Sequence, residues 1–170
     1  SYMFGKYQLA AEMADNSNIH EVVTSKIEVC NYEFCRGLIA LALEFETREK
    51  KWRKNALDSI AKLKEWSDSV PWNFEHKLEL LNAEFYFLSG DKRKAAQLYD
   101  HSIALAHEHR FIHDEALICE RAGHFQSFLN NNITASEYYT RSYQCYMKWG
   151  AEAKALHVQQ FLTSSSKSKE

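Results

Sequence analysis

Pro71 is the single proline in 170 residues, and Gly5, Gly37, Gly90, Gly123 and Gly150 are the five glycines. Tight hairpins need such residues to supply fixed or positive φ, so a turn-rich β architecture lacks the material for its corners. Helices remain, and the apolar residues recur at their period. Ile27, Cys30, Phe34, Leu38, Leu41 and Phe45 step by three or four, as do Phe74, Leu78, Leu81, Phe85 and Leu88. The same steps run through Trp52, Ala56, Ile60, Leu63 and Trp66, through Ala96, Tyr99, Ile103 and Ala106, and through Ile118, Ala122, Phe125 and Leu129. Tyr139, Tyr143 and Tyr146 mark one more helix, and Ala151, Ala155, Val158 and Leu162 a short last one. Each run is one helical face, so the expected class is all-α.

Local punctuation agrees. Pro71 suits the first turn of the helix carrying Phe74, and Gly90 suits the left-handed residue that ends it, about 18 residues later. Asp91 can cap the next helix. Thr134 with Glu137 has capping-box spacing, with Asn132 as a competing cap. The final SSSKSKE holds no apolar residue, which predicts a single domain over 1–163 and a disordered tail over 164–170.

The helices also repeat. Ala83, Tyr86, Ala95, Tyr99 and Ser102 recur as Ala122, Phe125, Ala135, Tyr139 and Ser142, 39 to 40 residues later. Gly5, Ala10 and Ala14 stand at the spacing of Gly90, Ala95 and Tyr99, so FGKYQLAAEMA reads as the second helix of a pair whose first helix precedes residue 1. Small residues let two helices approach, aromatics fill the space between pairs, and such a unit cannot bury its apolar face alone. The expectation is an α-α superhelix of helical hairpins. These spacings resemble tetratricopeptide repeats, best over residues 76–109, where Ala83, Tyr86, Gly90, Ala95, Tyr99 and Ser102 fall at the repeat's small and aromatic points.

A second resemblance covers roughly residues 30–158. CNYEF at 30–34, AQLYDHSIALAHEHRFIHDEALICE at 96–120 and YYTRSYQCYMKWGAEAKALHV at 138–158 look like the helical-repeat region of large multidomain signalling proteins. Those proteins carry a serine/threonine-kinase-like domain, a signal-transducing NTPase, this repeat array, and often a GAF domain with a histidine kinase. Tyr146, Trp149, Gly150, Ala151 and Lys154 match the ending of its last repeat. Arg110 departs from the pattern, since relatives favour Gly there. The resemblance implies a non-catalytic scaffold or regulatory segment mediating protein or interdomain contacts. The alternative is a free-standing tetratricopeptide adaptor for an apolar or helical peptide.

Composition narrows the partners. A net charge of -2 gives no global reason to expect nucleic acid or an anionic membrane. With 45% hydrophobic residues the chain can build a core without disulfides, and Cys30, Cys35, Cys119 and Cys145 contain no CxxC pair, which suggests a reducing, cytoplasmic setting. No run of about 18 apolar residues and no signal-peptide pattern occurs.

HSIALAHEHRFIHDEA, residues 101–116, holds four of the eight histidines beside acidic side chains, the residue types that bind zinc or iron. At 100° per residue His101 and His107 lie about 600° apart, and His107 and His109 about 200°, so they do not share a helical face. Only His109 and His113, with Asp114, could converge, and the stretch reads as a solvated turn. KKWRK at 50–54 could be a basic patch, but Glu46, Glu49, Asp58 and Glu65 are interleaved with it. Trp52, Trp66, Trp72 and Trp149 fall at or beside core-periodic positions, which assigns them to core packing. No Cys or Ser stands in a nucleophile motif with a His, and no motif requires a cofactor.

Binding to protein, or to neighbouring domains of the same chain, is the remaining class. The first helix of each hairpin lines the concave face, which nominates Lys77, Leu80, Glu84 and Phe87, then Glu120, Gly123 and Gln126, as exposed contacts. Leu80 and Glu84 occupy clamp positions where binders of C-terminal carboxylates need Lys, Asn or Arg, so an acidic peptide end does not fit that face. Leu80 and Phe87 suit an apolar or helical ligand, or the neighbouring repeat.

Overall fold

The computed structural model describes residues 26–166, which form seven α-helices and no strand. They are α1 (Lys26–Thr47), α2 (Lys50–Ser69), α3 (Pro71–Leu88), α4 (Lys92–Glu108), α5 (Ile112–Phe128), α6 (Asn132–Trp149) and α7 (Glu152–Ser166). The chain is all-α, as its apolar period required. FGKYQLAAEMA lies outside the described residues. At the other end α7 continues to Ser166, so the helix extends into the segment expected to be tail.

From α3 onward the helix ends keep a strict rhythm. Gly90, Arg110, Asn130 and Gly150, twenty positions apart, all take left-handed φ of 88°, 61°, 62° and 84°. At each, the next residue donates its N–H to a carbonyl five positions back: Asp91 to Tyr86 (3.0 Å), Phe111 to Ala106, Asn131 to Gln126 and Ala151 to Tyr146 (2.9 Å each). The left-handed residue donates to the carbonyl three back. This is the Schellman closure, which satisfies terminal carbonyls and starts the next helix almost at once. Glycine takes that backbone without a Cβ penalty, and Gly90 and Gly150 use this freedom.

Starts are less uniform. Asp91 Oδ1 accepts the Lys94 N–H at 2.9 Å, the predicted cap, and Pro71 opens α3. The cap expected from Asn132 or Thr134 is not made. Because the turn at Asn130 closes early, Asn131 becomes the N-cap and both candidates fall inside α6. Asn131 instead donates its side-chain amide to Gln126 at 2.9 Å.

The chain divides between Ala95 and Ala96 into two compact units. In the first, α1, α2 and α3 pack on one another with Leu41, Leu43, Leu63, Ala56 and Leu81 fully buried. Glu33, also fully buried, accepts from Ser59 Oγ at 3.1 Å and from Lys62 and Arg36, tying α1 to α2. In the second unit α5 packs on α6, and α6 on α7, around Ala116, Ala135, Tyr139, Tyr146, Ala155 and Val158. Tyr99 of α4 meets Phe125 of α5 at 5.1 Å between ring centroids. An offset aromatic pair of this kind adds about 0.5–1.5 kcal/mol beyond its buried area.

Trp52 is core, but Trp72 and Trp149 are 56% and 55% exposed, contrary to the core assignment. Both stand in terminal turns of their helices, where Phe74 and Tyr146, two and three positions away, take the buried direction. Among the described residues no helix is long and apolar enough to cross a membrane.

Candidate functional site

The face nominated on α3 and α5 is not exposed. Lys77, Leu80, Glu84 and Glu120 are buried, only 6%, 0%, 4% and 7% exposed, and Phe87 and Gln126 are half-buried. Two contacts from α1 help to cover α3: the Lys77 ammonium lies over the Phe34 ring at 5.1 Å, and Phe87 faces Phe45 at 5.8 Å. Phe87 therefore packs on a neighbouring helix of its own unit. Glu120 accepts from Tyr146 Oη at 2.8 Å and from Lys154 Nζ at 3.1 Å, binding α5 to α6 and α7. Gly123 lies against the Tyr139 ring.

An open groove lies elsewhere, wholly within the second unit. It encloses 1380 Å³ and is lined by the end of α4, the turn at Arg110, the start of α5 and one face of α6. That face is Ile133, Glu137, Thr140, Gln144 and Lys148, the three- and four-residue steps of a helical stripe. Tyr138 of α6 donates to Asp100 of α4, and further along both helices Arg141 and His107 meet on Glu115. Hence α4 and α6 advance in the same direction. Arg110 and Lys148, just past or within their last turns, mark one end of the groove, and Ile133 with Glu137 marks the other.

The middle is a three-membered charge network. Arg141 donates Nε to Glu115 Oε1 at 2.8 Å, with a second guanidinium nitrogen at 2.7 Å, and His107 Nδ1 lies 3.1 Å from Oε2. Burial works to raise the Glu115 pKa, but hydrogen bonds from Arg141 and His107 outweigh it and hold the carboxyl below its ordinary value. It is ionised at neutral pH. Beside it, burial and the Glu115 charge push the Cys145 thiol up to about 11, and burial pushes Cys119 up to about 12. Protonated thiols are poor nucleophiles.

The histidine cluster is dispersed by the same geometry. His107 goes to Glu115, while His113 stacks on Trp149 at 5.3 Å between centroids, with Nε2 3.4 Å from Asp114 Oδ1. Among the described residues no group of three His, Cys, Asp or Glu side chains is arranged to hold a metal ion.

The groove residues His107, Arg110, Glu115, Arg141, Gln144 and Lys148 were not nominated from sequence. The available signal was weak: an exposed stripe on α6 and an arginine where glycine is expected at a helix end. No family model, no curated protein and no solved structure matches this chain.

Proposed function

We propose that this chain is a non-catalytic helical-repeat segment, an α-α superhelix of tetratricopeptide type, that acts by binding protein. Its setting is the cytoplasmic regulatory arm of a large signalling kinase/ATPase, where it holds a partner or a neighbouring domain of the same polypeptide. One observation carries this reading. Ala83 and Ala122, Ala95 and Ala135, Tyr99 and Tyr139, and Ser102 and Ser142 are all buried at matching points of helices whose ends recur every twenty residues. A repeated register of small and aromatic core positions is the mark of a solenoid unit, whose usual work is presenting surface to protein.

The groove chemistry supports a binding role over catalysis. Glu115 is held by two partners and the nearby thiols are protonated, so neither this central carboxylate nor a thiol stands ready as base or nucleophile. The experiment is to read the parent reading frame and then cross-link the parent protein through Lys148. Kinase-like and NTPase domains in that frame, with cross-links from Lys148 into them, are expected. A frame holding neither domain would refute the regulatory-arm reading and favour a free-standing adaptor.

A further inference from the structure

We infer that the groove between α4, α5 and α6 takes an acidic, apolar-anchored peptide segment, its carboxylates on Arg110 and Lys148 and its apolar side chain on Ile133. This deepens the protein-binding reading and rests on it.

Volume argues for a peptide. At 1380 Å³ the groove exceeds the roughly 300–1,000 Å³ usual for small-molecule sites. Ile133 to Lys148 spans about 22 Å of helix, the reach of about seven extended residues. Charge argues for its sign. Arg141 is satisfied by Glu115, but Arg110 and Lys148 have no ion-pair partner among the described residues. Two unpaired cations at one end thus face a single unpaired carboxylate, Glu137, toward the other. Polarity along the groove supplies the anchor. Ile133 is 77% exposed, more than any other large apolar side chain described, and lies at the end away from the cations. Between these ends Thr140 and Gln144 offer hydrogen bonds to a peptide backbone.

Arg110 adds an independent sign. It stands in the left-handed position that Gly90 and Gly150 occupy at equivalent turns, at φ 61°. A side chain kept where the backbone favours none is a reason to look for work that the side chain does. It also provides a clean variant, because R110G removes the cation while relieving the backbone.

The test uses the purified chain and a fluorescein-labelled peptide of about twelve alternating leucine and glutamate residues, with a glutamine-for-glutamate counterpart. Fluorescence anisotropy should show saturable binding of the acidic peptide, weakening with added salt, and at least about tenfold weaker binding of the neutral one. R110G/K148Q should lose about tenfold in affinity while its thermal midpoint does not fall, and E137Q should bind more tightly than the parent. Equal affinity for both peptides, no saturable binding of the acidic one, or unchanged binding by R110G/K148Q overturns the proposal. So does concentration-dependent self-association, in sedimentation velocity, that R110G/K148Q abolishes, since a second copy would then be the occupant. None of these failures touches the cross-linking result on which the wider reading depends.

Discussion

A left-handed backbone costs an ordinary L-residue about 1–2 kcal/mol, part of which glycine gives back through its larger unfolded-state entropy. Arg110 at φ 61° carries that cost where Gly90 and Gly150 do not. R110G should therefore raise unfolding free energy by about 0.5–1 kcal/mol, read as a higher urea midpoint at unchanged slope. Asn130 sits at φ 62°, but asparagine tolerates this region, so N130G should gain less. The opposite sign is expected at Gly123. A Cβ there would stand 2.5 Å from Tyr139 Cε1. That ring cannot swing aside easily, being stacked on Phe161 at 5.2 Å with its hydroxyl 2.9 Å from His124 Nδ1. G123A should lose about 1–3 kcal/mol by overpacking, and a midpoint equal to the parent's would show that the ring has more room than this geometry allows.

Between elements, buried carboxylates tie helices together, among them Glu33, which joins α1 to α2, and Glu115, which joins α4, α5 and α6. For both, burial alone would raise the pKa, and the cationic and hydrogen-bonding partners reverse the sign, leaving the folded value below the ordinary 4.5. A depressed folded pKa means the folded state binds fewer protons than the unfolded chain. The stabilisation is fully present above about pH 4.5 and is lost as pH falls through the folded values. Urea midpoints from neutral to acid pH should decline in that window. R141Q should cost about 1 kcal/mol at neutral pH, a modest figure because the guanidinium is 42% exposed, and should flatten the acid decline. Parallel curves for R141Q and the parent would remove Glu115 from the account. The same elements explain what was legible in sequence. Helices α1 to α7 announce themselves through local periodicity, and Asp91 caps α4 within one turn. The triad His107–Glu115–Arg141 joins side chains 8 and 26 positions apart, and the stripe Ile133 to Lys148 looks like any solvated helix face until α4 is placed beside it. Lys77 and Glu84 misled for the converse reason: their place on the first helix of a hairpin suggested exposure, while tertiary packing buries both.

At the scale of the whole molecule, the second unit contains everything the groove needs. Its lining runs from His107 to Lys148, and its core of Ala116, Ala135, Tyr139, Tyr146, Ala155 and Val158 is drawn from the same unit. Residues 91–170, begun at Asp91 to retain the cap on α4, should then fold as a helical fragment with a sigmoidal urea transition. Its stability should be a few kcal/mol, because a chain of about 80 residues buries proportionately less surface than a larger one. Circular dichroism would read the fold, and the labelled acidic peptide would read the groove, with an affinity within about threefold of the full chain's if the site is complete in this unit. A coil-like spectrum would mean that these helices need the first unit to form. A folded fragment that has lost the peptide would mean that residues before Asp91 contribute to recognition.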